Sequence, residues 1–154
     1  MIDDAAHRSP VAALALGWLL PGAGHAYAGR RGKAVLFAVP IVGLFLAGFA
    51  LGDGTNLLHN EWWIAPQLGA GGPTAVLMPI SEWRAGPPDP TKGGMRPNAD
   101  YADPIREIGT LYTAIAGLLN LLVMMDAYVT VAYPEEKGER TAHRIHRPAG
   151  KEGA

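Results

Sequence analysis

Apolar and polar positions in this chain separate into blocks instead of alternating. Two long apolar stretches, Ala34 to Gly52 and Ile108 to Ala132, stand out. Each has roughly the 20 residues that an α-helix needs to cross a hydrocarbon core about 30 Å thick. The pattern predicts an all-α integral membrane protein, one membrane domain over residues 1–154. Its helical segments cover about 10–28, 34–52 and 105–132, with an outer loop at 53–104 and a cytoplasmic tail at 133–154. The second and third segments are full-length spans.

The first segment is shorter. Val11 to Leu20 covers about 15 Å as a helix, with Ser9 as its N-cap and Pro10 in its first turn. Pro21-Gly22-Ala23-Gly24 then interrupts it. The segment either kinks and spans, or dips in and returns, and both versions bury the Gly-rich turn against protein. A third reading is a cleaved signal peptide, with Ala26-Tyr27-Ala28 as the small-residue site. Asp3 and Asp4 in the leading stretch, and Arg30, Arg31 and Lys33 just beyond, argue against it.

Those three basic residues are the densest positive cluster and directly precede the second segment. The positive-inside rule puts that end in the cytoplasm, so the chain also leaves the third segment there; if the first segment spans, its start lies outside. The stretch 53–107 has four basic residues (Arg84, Lys92, Arg96, Arg106) against seven acidic ones. Trp62, Trp63 and Trp83 in it suit headgroup depth. Leu58, Trp62 and Ala65 share one face of a short helix ended by Pro66, and Thr74 to Ile80 is a strand, a dip into the membrane or a docked loop. The Pro-rich run 86–103 reads as extended loop, and Asp103 caps the third segment. The tail lacks apolar periodicity.

Composition adds exclusions. The chain has 154 residues, 20 of them Gly and 13 Pro, no Cys, and a formal net charge of −1. Disulfides, thiolate metal sites and cysteine nucleophiles are therefore out. The charge gives no general attraction to nucleic acid. Ser9 and Ser81 lack a base or a nucleophile elbow, and no catalytic residues are assigned. His7, His25, His59, His143 and His146 are scattered, so neither metal nor cofactor is expected.

Asp126 is the costliest residue, about 9 Å inside the cytoplasmic end of its helix. It is read as a structural hydrogen bond or ion pair with His25, Arg30 or Arg31 before it is read as a proton or ion relay. Asn120 shares a face with Gly109, Thr113 and Gly117 at 100° per residue, a small and polar stripe that faces protein. Asp126 points about 120° away from it, so the third segment needs two neighbours, either the other two segments or a second copy. Gly48 and Gly52 form a small-xxx-small pattern for close helix contact.

Leu19-Leu20-Pro21-Gly22-Ala23-Gly24-His25-Ala26-Tyr27-Ala28-Gly29-Arg30, with the later Leu121-Leu122-Val123-Met124-Met125-Asp126, resembles the two-transmembrane domain family. The chain is more similar to bacterial three-helix relatives of unknown function, through Glu107 to Ala114 and Gly117 to Asn120. It departs from the family at Ala26, where an aromatic residue or Arg is usual, and in its long insert. The resemblance implies a small bacterial inner-membrane protein in which Pro21 to Tyr27 meets Asp126. It transfers no activity. Residues and resemblance together predict a non-enzymatic scaffold or accessory subunit with the lipid bilayer and a protein partner or second copy as its contacts. A proton or ion relay through Asp126 and His25 is the alternative.

Overall fold

A computed structural model describes residues 8–58, 61–99 and 102–133. His7, His59, His143, His146 and the expected tail beyond residue 133 lie outside the described residues. Six α-helices occur among those described, and no strand: α1 (Pro10–Leu19), α2 (Ala23–Tyr27), α3 (Arg31–Leu51), α4 (Glu61–Leu68), α5 (Gly72–Ala85) and α6 (Pro104–Ala132).

Two of them, α3 and α6, are long and apolar enough to cross a membrane, with mean hydropathies of 2.5 and 1.8. Helix α6 starts where Pro104 takes the first position and the Asp103 carboxylate accepts the Ile105 N–H at 3.0 Å. Helix α3 begins three residues before the expected start, because Arg31, Gly32 and Lys33 join its first turn. The two helices run antiparallel: Lys33 meets Asp126 at one end and Gly48 meets Gly109 at the other. A Cβ on Gly48 would stand 2.7 Å from the Gly109 carbonyl oxygen, so only glycine lets the backbones approach this closely there. Phe45, Ile41, Ala116 and Val123 fill the buried seam with Leu57 and Ala70.

The remaining helices form two hairpins that enter from opposite ends. In the first, α1 rises antiparallel to α6, the chain turns at Leu20 to Gly22, and α2 returns. Ser9 therefore lies beside Tyr27, its N–H donating to the tyrosine hydroxyl at 3.2 Å. Gly22 sits at φ 83°, and a Cβ there would strike the Ala34 carbonyl, so the turn requires glycine. The first segment thus turns back on itself, and residues 8–9 lie at the Lys33 end of the molecule. This is the opposite end from that expected for a spanning segment. Ten helical residues are too few to cross, and the Pro-Gly break is used to reverse direction.

The second hairpin corrects the reading of 53–104 as loop. Helix α4 descends from the Gly54 end, Gly69 to Gly71 form its tip, and α5 climbs back until Arg84 packs against Gly54. Pro66 lies inside α4 instead of ending it, and Thr74 to Ile80 belongs to α5. Pro73 occupies the first turn of α5, where a missing N–H costs nothing. Residues 86–99 contain one short 3₁₀ turn (Pro90–Lys92) and are tied back by Arg96 donating to the Gly86 carbonyl at 2.7 Å.

Candidate functional site

The hairpin tips meet about halfway along α6. The Trp18 indole N–H donates to the Leu68 carbonyl at 3.0 Å, and Gly71 and Gly72 lie directly against the Trp18 and Leu19 carbonyls. Asn120 joins both hairpins: its fully buried amide donates to Gly17 O at 3.1 Å and to Gly69 O at 2.9 Å. One side chain thus satisfies a carbonyl from each side of the junction. Within the turns, Ala23 N–H donates to Leu20 O and Gly71 N–H to Leu68 O.

Asn120 belongs to a longer buried stripe on α6: Arg106, Thr110, Thr113, Gly117, Asn120, Met124 and Ala127, at alternating steps of four and three. Facing it, Gln67 donates to the Thr113 hydroxyl at 2.8 Å and to the Asn56 carbonyl at 3.3 Å. Asn56 donates to the Gly48 carbonyl at 3.1 Å, and Thr74 to the Gln67 carbonyl at 2.5 Å. Arg106 donates to Thr55. A Cβ on Gly117 would fall on the Pro66 carbonyl, so this glycine admits α4. Gly52 makes room for the Asn56 side chain in the same way.

The second polar group lies about 9 Å further along α6. His25, carried on the return helix α2, is fully buried and places Nε2 2.7 Å from Asp126 Oδ2. A carboxylate only accepts, so Nε2 carries the hydrogen and donates. Lys33 Nζ approaches the same oxygen at 3.4 Å. Asp126 and Lys33 are each nearly half exposed, so their ion pair alone is worth at most about 1 kcal/mol. The fixed partner is His25, held between Asp126 and the Phe37 ring, 5.2 Å away between centroids. Its Nδ1 is buried and finds no acceptor or donor among the described residues. Gly24 brings α2 this close, since a Cβ there would stand 2.9 Å from that of Ala127; Pro21 is buried in the preceding turn.

The two groups define what the expected residues do. The structure brings His25 to Asp126, and Gly109, Thr113, Gly117 and Asn120 to one buried face. Tyr27 binds Ser9 and not Asp126. Arg30 caps α3 and Arg31 is exposed in its first turn; neither reaches Asp126 among the described residues, and Lys33 takes that place. Trp62 and Trp83 are 87% and 83% exposed at the Gly54 end, so they are not core; Trp63 is 40% exposed. Asn56, Gln67 and Arg106 are polar residues that sequence reasoning missed. Arg106 alone had a visible signal, standing four residues before Thr110 on the stripe. No three His, Cys, Asp or Glu side chains cluster as metal ligands among the described residues.

No curated protein and no solved structure matches this chain. A family model described as a family of unknown function, DUF6677, matches residues 12–139. That match runs from the first hairpin through the end of α6, and the chain belongs to this family.

Proposed function

We propose that the protein is a non-enzymatic integral membrane scaffold or accessory subunit of the bacterial cytoplasmic membrane. One observation carries this reading: large aliphatic side chains lie outside, while amides and hydroxyls are buried inside beside the apolar seam. Asn56, Gln67, Thr113 and Asn120 are buried, while Val35, Leu36, Val39 and Leu122 are 63–68% exposed. Only 22% of the most apolar window of α3 is buried, the reverse of a core helix in a water-soluble protein. Lipid suits this arrangement, because hydrocarbon tolerates the exterior, and the donors of Asn56, Gln67 and Asn120 all find protein acceptors inside. The basic cluster at Arg30 to Lys33 orients that end to the cytoplasm, which puts residues 8–9 and the exit of α6 there as well. The outer end then presents Trp62, Trp63 and Trp83 to lipid headgroups or to a protein partner.

The test is fractionation followed by gentle solubilisation. The protein should stay with membranes after alkaline carbonate, require detergent, and copurify with a stable partner or a second copy. Release by carbonate as a soluble monomer would overturn the membrane reading. A detergent-purified monomer with no companion would overturn the scaffold role.

A proton relay through Asp126 is the second reading, favoured by the buried, unpartnered Nδ1 of His25 beside a half-exposed carboxylate. It requires a pH-dependent flux in proteoliposomes that Asp126→Asn abolishes. The scaffold reading predicts no flux with either protein.

A further inference from the structure

We infer that the face of α3 headed by Arg31 is a binding groove for an anionic phospholipid, with the phosphate at Arg31 and one acyl chain running toward the hairpin junction. Two apolar clefts lie end to end along this face. The first, about 210 Å³, is bordered by Ala34, Val35 and Ala38 of α3 against the first hairpin's turn. The second, about 530 Å³, is bordered by Val42 and Leu46 against the junction of α1 and α5. Leu20 borders both, so the two clefts adjoin at this side chain.

Helical arithmetic places Arg31 at the head of the two clefts. At 100° per residue, positions 31, 34, 35, 38, 42 and 46 fall within about 60° of one line. From Arg31 to Val42 is about 17 Å along the axis. The far border at Leu46 is about 22 Å from Arg31, more than the roughly 15 Å depth of one leaflet, so the groove is long enough for a single acyl chain. Its floor is made of small side chains at the headgroup end, Ala34 and Ala38, which suits a thin chain better than the ridges of another helix. Charge selects the headgroup. Arg31 is exposed and has no ion-pair partner among the described residues, whereas Lys33, roughly 200° round the helix, is committed to Asp126. No acidic residue borders either cleft.

This inference rests on the membrane reading above, and the experiment separates the two. The detergent-purified, delipidated protein is offered phosphatidylglycerol or phosphatidylcholine with identical acyl chains, and bound lipid is counted by native mass spectrometry. Phosphatidylglycerol should be retained about fivefold better, the effect of one basic side chain at an anionic headgroup. Arg31→Gln should remove that preference, Lys33→Gln should leave it intact, and Ala38→Phe should reduce retention of both lipids. Equal retention by the unaltered protein would overturn the inference, as would equal effects of Arg31→Gln and Lys33→Gln. So would Ala38→Phe disrupting a dimer while lipid retention is unchanged, because a second copy would then occupy the groove. A protein that dissolves without detergent sinks both readings. One that needs detergent yet holds the two lipids equally sinks only this one.

Discussion

The two hairpins reach the same depth by different chemistry. The first is held at its base by charge: His25 donates to Asp126 while Lys33 approaches the same carboxylate at a half-exposed end of the molecule. The second is held along its length by neutral amides and hydroxyls, Gln67 on Thr113 and Asn56 on Gly48, with all four of these residues buried. The difference follows from position. Near the basic end, the half-exposed Asp126 and Lys33 let solvent hydrate whatever charge the clamp leaves unpaired, so a carboxylate is tolerable. In the buried interior an unpaired charge costs far more than an unpaired amide, and neutral donors prevail, with the buried Arg106 guanidinium donating to Thr55 near the Gly54 end as the exception. Asn120 is common to both, so with the Trp18–Leu68 hydrogen bond at the tips it should couple hairpins whose other anchors on α6 are separate.

Substitutions that break this division are ranked by how many contacts each removes. Gly117→Leu should be the most damaging, because its side chain would occupy the Pro66 carbonyl and expel α4; a loss of about 3 kcal/mol is expected. Thermal unfolding in detergent reads it, and a melting temperature within a degree or so of the unaltered protein would refute this packing. Asn120→Leu should cost about 2 kcal/mol, by leaving the Gly17 and Gly69 carbonyls without a donor. Both hairpins should then loosen together in hydrogen exchange; loosening of one alone would mean that Asn120 does not couple them.

Single-hairpin changes come next. Gln67→Leu should cost about 1 kcal/mol and raise exchange in α4 and α5 only. His25→Phe should loosen α1 and α2 while sparing α4 and α5, by a similar amount. Spread of either effect to the opposite hairpin would contradict these separate anchors.

The smallest effect lies outside both hairpins. Hydrogen bonds from the Thr91 hydroxyl and backbone N–H hold the Asp89 carboxyl below its ordinary value of 3.8. A lowered value means that the charged form supports the folded turn, so its contribution is present above about pH 4 and is lost as pH falls through the lowered value. Exchange protection at the Thr91 amide should disappear on that acid limb and be constant above it. Asp89→Asn should remove the pH dependence.

Legibility along the chain tracks how each residue type signals. Helices α3 and α6 are readable because an apolar run of about 20 residues is too long for a strand and favours a helix. Asp103 and Pro104 mark the start of α6 with standard capping chemistry. The break at Pro21 to Gly24 is visible, and the reversal it makes follows from a first run too short to cross. The buried stripe from Gly109 to Asn120 follows from helical arithmetic alone, whereas the meeting of His25 and Asp126 follows from the resemblance. The second hairpin is not readable. Pro66, Pro73 and Pro79 with Gly69, Gly71 and Gly72 carry the composition of a loop, yet two of the prolines sit inside helices and two of the glycines mark close contact with α1. Gln67 and Asn56 look like solvated loop amides until tertiary packing buries them. Lys33 is lost in a cluster read for its collective charge, although only this member reaches Asp126.

The central claim is that hairpins from opposite faces meet near the middle of the bilayer. Because the chain has no cysteine, single spin labels at Leu20→Cys and Leu68→Cys can test it without background. Both positions are exposed on the surface of the fold, so the label reports its surroundings and not the core. In liposomes, both labels should relax strongly with oxygen and weakly with a water-soluble nickel complex, at matching depths close to the bilayer centre. Strong nickel access at either site, or depths in separate leaflets near the headgroups, would contradict the account.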